Sequence, residues 1–419
     1  MTMTVFTRPT IDFDHHSLRY KHDWVEMARA FLAQDQPIAW TEAWGGFWVV
    51  ATWEGVNRVG EDWETFTSYN DVEGTGNGGK GQLIPQQPYR LDLGESDPPL
   101  HTERRRLEVP FFTPKAIRQW RPKVQEHLVE ALNGVVSRGH CNLIDDVILP
   151  TAARTTLYMT GYGADDWRDA ATAAHLAFVL QPTDEGYPAA EMARMRGKFR
   201  DMLTDRRTTP TGDLISALAH GTVDGRDLTL DEGESMMNAL IFGGFDTAVA
   251  TTAHALIRLE RSPEYRDRIV EDEAFRKNFV EEVLRLCPPP AGMARTVVRD
   301  TEFMGQRMTK GESVFMWLAA ANRDPRKFTD PDLFDPERVN ARDHVSFSTG
   351  HHRCLGSPLA KVEVADILRV VCTALPDLRI DLDEVVAYPR LGGANGFSKV
   401  PATFSPRAPL TIDADGVAR

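Results

Sequence analysis

Apolar and polar positions repeat along this chain with two different periods. From Leu18 to Ala33, and over most of residues 113–206, apolar side chains return every three or four positions, the spacing of helices with one buried face. Turns near Arg138-Gly139 and Gly161-Tyr162-Gly163 divide the longer stretch. Pro37-Ile38-Ala39-Trp40 and Phe47-Trp48-Val49-Val50-Ala51, joined through Gly45-Gly46, read instead as a β-hairpin, with a short helix at Trp53 to Gly60. Residues 70–96 keep neither period and are rich in Gly, Pro and Asn, which predicts a long working loop, a flap over a pocket. One helix is predicted from Thr229 to Arg261, opened by a Thr229-x-x-Glu232 capping box and stopped by Ser262-Pro263. At about 1.5 Å per residue it would run roughly 50 Å. Gly243-Gly244 sits in its middle, against helix propensity by about 1 kcal/mol each. Such a conflict marks either close helix packing or a functional break. A last helix is predicted from Ser357-Pro358 to Leu375, with Pro358 in the first turn, where its missing N–H costs nothing.

Composition narrows this pattern to one large, mainly α domain with a small β region. With 419 residues, 42% hydrophobic and 26% charged, the chain can bury a sizeable core and stay in solution. A formal charge of −13 lacks the basic footprint of a nucleic-acid binder. Met1-Thr2-Met3-Thr4 is no basic, apolar leader and no run of about 20 apolar residues follows, so the expectation is a cytoplasmic monomer without membrane contact. Cys141, Cys287, Cys354 and Cys372 are widely scattered, which suits a reducing compartment.

The candidate chemistry centres on Phe347-Ser348-Thr349-Gly350-His351-His352-Arg353-Cys354-Leu355-Gly356. Cys354 stands in a glycine-flanked loop before a helix N-terminus, whose N–H groups and dipole favour a thiolate. Phe347 can wall the sulfur, and Gly350 and Gly356 allow close approach. By itself the cysteine fits an ordinary buried residue better. A structural zinc site is disfavoured because no CxxC accompanies His351 and His352. Within the long loop, Gly74 to Lys80 and Gly76-x-Gly78-x-x-Gly81 imitate nucleotide-binding motifs, but they lack the flanking strand and helix those motifs require.

Phe347-x-x-Gly350-x-x-x-Cys354-x-Gly356 resembles the haem-binding loop of the cytochrome P450 family, where one cysteine thiolate is the axial iron ligand. Three further segments resemble that family in the same order. Gly243-Gly244-Phe245-Asp246-Thr247 is similar to its oxygen-groove motif. Glu282-Val283-Leu284-Arg285 is similar to its internal Glu-x-x-Arg pair, which Phe334-Asp335-Pro336-Glu337-Arg338 would complete through Arg338. His101-x-x-x-Arg105, Arg295 and His352 match positions that meet haem propionates. Ser348 stands where the family often has glycine, and Glu103 interrupts the basic helix.

The resemblance implies the cytochrome P450 fold over residues 1–419, a helical domain with a small β-sheet region enclosing haem b. The β-rich part would fall at about 37–52, 291–318 and 378–405. The activity implied is hydroxylation of a C–H bond with O2, Asp246 and Thr247 serving proton delivery. Electrons would come from NAD(P)H through an external reductase and ferredoxin. Arg104, Arg106, Lys115, Arg118, Arg353 and Lys361 are the candidate docking patch. Leu240, Gly243, Gly244, Ala291, Met293 and Phe397 are the expected pocket positions, suiting an uncharged terpenoid, steroid or fatty-acid-like compound. Gln181 to Pro188 would belong to a mobile lid. A peroxide-driven relative of the same fold and a haem gas sensor without turnover are the rival readings.

Overall fold

The computed structural model describes residues 8–75, 78–163, 167–180 and 183–411. Gly76 of the glycine-rich decoy, and Gln181 and Pro182 of the expected lid, lie outside them.

The predicted hairpin forms: Ile38–Thr41 pairs antiparallel with Phe47–Val50, Trp40 opposite Trp48. It seeds a five-stranded sheet in which Phe47–Val50 runs parallel to Ser313–Met316, which pairs with Met293–Val297 and then Phe66–Thr67. Segments 37–52 and 291–318 thus share one sheet. The third predicted segment does not join it. Arg379–Ile380 and Pro401–Thr403 pair in another sheet with His140–Asn142, and Val386–Ala387 pairs with Phe397–Lys399. The strand at His140–Asn142 lies inside the stretch read as helical; three residues are too few to carry a period of two.

Helices Pro114–Asn133, Asp246–Arg261, Glu273–Leu286 and Ser357–Ala374 enclose the largest core. Leu128, Leu256, Phe279 and Leu368 are among its fully buried members, each contributing about 1.5–3 kcal/mol on burial. The capping box is present: Thr229 Oγ1 accepts from Glu232 N–H, and Glu232 accepts from Thr229 N–H.

The central helix is two helices, not one. Leu230–Gly244 ends and Asp246–Arg261 begins at Phe245, whose φ −92° and ψ −81° are not helical. The two glycines have separate causes. A Cβ on Gly244 would lie 2.7 Å from the side chain of Thr156, which is close helix packing, whereas one on Gly243 would meet nothing. Among the described residues this 32-residue run alone has the length and apolarity to cross a membrane, and it is mostly buried inside the protein.

Candidate active site

Gly243 faces nothing because a cavity of about 380 Å³ opens there. The cysteine loop closes its other side, with Phe347, Ser348, Cys354 and Gly356 all lining it. Two residues set the loop's posture by positive φ: Gly350 at 66°, where a Cβ would collide with the Gly60 carbonyl at 2.1 Å, and Ser348 at 57°. The latter explains why glycine suits this position, since a side chain there is strained. Cys354 N–H donates to the Phe347 carbonyl at 2.8 Å, closing the turn.

The sulfur does not behave as the helix position predicts. Burial desolvates the Cys354 thiolate and pushes its pKa up, outweighing the Gly356 and Ser357 N–H groups and the Arg105 charge that favour ionisation. The exposure of Cys354 is towards the cavity it lines. A thiolate here therefore calls for a directly bound cation, which a haem iron supplies.

A second feature fits the same group. Both ring nitrogens of buried His101 and one terminal nitrogen of buried Arg295 have no hydrogen-bond partner among the described residues. Desolvation, then its cationic neighbours, push His101 down to about 4; desolvation pushes Arg295 down to about 10. His352, its ring tilted against His101 at 4.4 Å and bonded to Ser68 Oγ at 2.9 Å, is lowered by burial and by Arg295. Buried groups that raise one another's potential in this way match an anion such as a propionate carboxylate. Arg105 also lines the cavity, but its guanidinium is engaged: it donates to the backbone carbonyls of His351 (3.3 Å) and Arg353 (2.7 Å), tying the loop down.

Behind the loop, Glu282 is fully buried and paired twice with Arg285, at 2.7 and 2.8 Å, and once with Arg338, at 3.1 Å. Both arginines also donate to carbonyls between Asn322 and Leu333, so the triad clamps that segment.

On the opposite wall, Thr247 lines the cavity and donates its hydroxyl to the Gly243 carbonyl at 2.7 Å, leaving lone pairs able to accept. Asp246 is buried and held by two residues no motif announced. His175 Nδ1 lies at 2.9 Å and the Tyr388 hydroxyl donates at 3.1 Å, both to Oδ1, while Oδ2 has no partner among the described residues. His175 is itself pulled in two directions: burial lowers its pKa, but Asp246 prevails and raises it. His175 keeps 27% of its side chain exposed, so the cluster reaches towards solvent.

Of the expected pocket residues, Leu240, Gly243, Gly244 and Met293 line the cavity. Ala291 and Phe397 do not. Ala291 packs in the core beside the hairpin sheet and its carbonyl is taken by Ala319 N–H; Phe397 packs edge-on against His254 at 4.7 Å. The neighbours Pro290, Gly392 and Gly393 face the cavity instead. Within the loop at 70–96, Gln82, Ile84, Leu91 and Leu93 line the cavity, whereas Lys80 N–H donates to Thr296 Oγ1 of the sheet at 2.9 Å. Arg104 leaves the docking patch, because it is buried against Asp92 and Glu232. Arg106, Lys115, Arg118 and Arg353 are exposed, and Lys361 is half-buried against Glu281.

A family model described as Cytochrome P450 matches residues 187–372. The chain is 32% identical to the 6-deoxyerythronolide B hydroxylase of Saccharopolyspora erythraea, over 71% of this chain and 74% of that protein. It is 29% identical to a steroid C26-monooxygenase of Mycobacterium tuberculosis, over 79% of this chain and 90% of the other. The P450 heme domain of Tepidiphilus thermophilus superposes with a TM-score of 0.83 at 25% identity, covering 94% of this chain and 97% of that one.

Proposed function

The chain belongs to the cytochrome P450 family and is a haem-iron monooxygenase acting on hydrophobic compounds, and we propose that Cys354 is its axial ligand and Asp246 with Thr247 its proton-delivery pair. The observation that carries this reading is the cavity itself: Cys354 on one wall, Gly243 and Thr247 on the other, and buried His101 also lining it, its ring nitrogens without a hydrogen-bond partner among the described residues. His101, Arg295 and His352 would hold the propionates. Bound haem supplies the activation of O2 and the insertion of one oxygen atom into a C–H bond. The chain's part is orientation, exclusion of water and movement of protons. His175 Nδ1–H donates to the Asp246 carboxylate; Asp246 relays a proton towards Thr247 Oγ1, whose oxygen accepts from the Asp246 side while its own proton turns from Gly243 to the cavity.

The substrate we infer is uncharged and largely hydrocarbon, of steroid, terpenoid or fatty-acid-like size. Leu83, Leu91, Met159, Leu240 and Phe315 supply apolar wall, and Glu363, the one carboxylate among the described lining residues, is pushed by burial up to about 8 and so stays neutral. Electrons would reach the site from NAD(P)H through a ferredoxin docking on Arg106, Lys115, Arg118 and Arg353. The test is a spin-shift screen of hydrophobic compounds, followed by product analysis with ferredoxin, its reductase and NAD(P)H. Spin shift together with NAD(P)H-dependent hydroxylated product supports the monooxygenase; CO binding without product from any shifting compound would favour the gas sensor.

A further inference from the structure

A second, smaller cavity of about 50 Å³ opens where helix Asp246–Arg261 meets the end of helix Glu273–Leu286. His254, Arg258, Arg261, Cys287 and Phe334 line it, and none of them lines the larger cavity. Cys287 stands just past its helix, the end where the dipole disfavours a thiolate. The side chains around it reverse that preference. His254 Nε2 lies 3.0 Å from the Asn395 carbonyl, which only accepts, so Nε2 carries the proton and Nδ1 is the ring's free acceptor. Phe397 meets the ring edge-on at 4.7 Å and fixes its plane.

Nucleophile, base and a group that orients the base are thus assembled in one cavity. The other charges facing Cys287 are Arg258 and Arg261 from the histidine's helix and Arg323, itself shared with Asp332 at 2.5 Å; Arg285 on its own helix is spent on Glu282. No carboxylate lines the cavity among the described residues. Burial raises the thiol, but His254, Arg323 and Arg258 together outweigh it and bring Cys287 down to about 7. The pair attracts through charge first and through the hydrogen bond between the two side chains second. The contrast within the chain is large, since burial pushes Cys141 up to about 12 and Cys372 up to about 11. Cys287 is also only half-buried, whereas those two are sealed.

Cavity size selects the reactant. A water needs about 10–15 Å³ of such space, so about 50 Å³ takes a molecule of two or three heavy atoms and excludes a peptide disulfide. We propose that Cys287 and His254 form a peroxide-reactive thiol site in which hydrogen peroxide converts Cys287 to a sulfenic acid. The thiolate sulfur attacks one peroxide oxygen, forming the S–O bond as the O–O bond breaks. Sulfur gives up two electrons; the second oxygen takes them, leaves as hydroxide and collects the proton held by His254. One thiol and one peroxide give one sulfenic acid and one water. Arg258 and Arg261 suit the anionic form of that product. None of this depends on what the larger cavity holds.

The experiment exposes the haem-loaded full chain to hydrogen peroxide for short times at a series of pH values, then unfolds it in dimedone and maps the adducts by mass spectrometry. Cys287 is expected to label about tenfold or more faster than Cys141 and Cys372 in the same molecules, with the rate half-maximal near pH 7. In His254→Gln the rate at pH 7 should fall about tenfold and recover at pH 9, where a thiol ionises unaided. Equal labelling of the three cysteines in the wild type, a rate half-maximal near the ordinary value of about 8.5, or a wild-type rate in His254→Gln would each overturn the proposal. Should His254→Gln not fold, the wild-type contrast decides alone.

Discussion

The two walls of the large cavity are built in opposite ways. The cysteine wall is local: ten consecutive residues, 347–356, supply the sulfur, the apolar shield and the positive-φ turn. Behind it, the Glu282–Arg285–Arg338 triad that clamps residues 322–333 is assembled from two short motifs. The opposite wall is assembled across the chain. Asp246 takes its partners from 71 positions upstream and 142 positions downstream, and neither lies in a recognisable pattern. A posture set by one tight turn can be rigid and written contiguously. A buried carboxylate takes its partners from wherever the fold brings distant segments together.

If the segment behind the cysteine wall is held by the triad, Glu282→Ala leaves two buried guanidiniums uncompensated and should cost about 3–5 kcal/mol. Chemical denaturation, or failure to recover folded protein, reads this; a loss below 1 kcal/mol would break the claim of a clamp behind that wall. On the other side, Thr247→Ala should fold and take up haem normally, because it removes one back-bond to Gly243. Product formation should fall by about 10²–10⁴-fold as reducing equivalents go to peroxide, measured as NAD(P)H consumed against product and H2O2. Full coupling would remove Thr247 from proton delivery.

The His175–Asp246 pair sharpens the contrast through pH. His175 has a raised folded pKa, so the stability it adds is fully present below its unfolded value of 6.5 and is lost as pH rises through the raised one. The difference in unfolding free energy between wild type and His175→Gln should therefore shrink as pH rises from 6 upward. A constant difference would show that the imidazole charge is not engaged. The smallest effect belongs to the surface: Arg106→Glu with Arg118→Glu should slow electron transfer from a ferredoxin about tenfold at low salt. The variant should also flatten the salt dependence. Stopped-flow reduction measures both, and unchanged rates would move the docking patch elsewhere.

The same contrast explains what was legible in the sequence. The hairpin, the capping box at Thr229, the cysteine loop and the triad depend on neighbours within a few positions, so spacing reveals them. Arg104 reads as surface charge on a basic helix, yet Asp92 and Glu232 bury it, and both partners are remote. Ala291 and Phe397 fail as cavity residues for a related reason: contacts remote in sequence take them, Ala291 in the core beside the hairpin sheet and Phe397 against His254, and Pro290, Gly392 and Gly393 face the cavity instead. The elevated pKa of Cys354 is equally invisible locally, because helix-end donors are adjacent in sequence whereas the desolvating walls are not. No local signal leads to His175 or Tyr388.

The central claim, that Cys354 binds the haem iron as a thiolate, is tested most directly by the reduced-plus-CO difference spectrum of the wild type beside Cys354→Ala. The account predicts a thiolate-type spectrum in the wild type and its complete loss in the variant, since no second sulfur lines the cavity among the described residues other than Met159 and Met293, whose thioethers cannot ionise. A thiolate-type spectrum that survives in Cys354→Ala would contradict it.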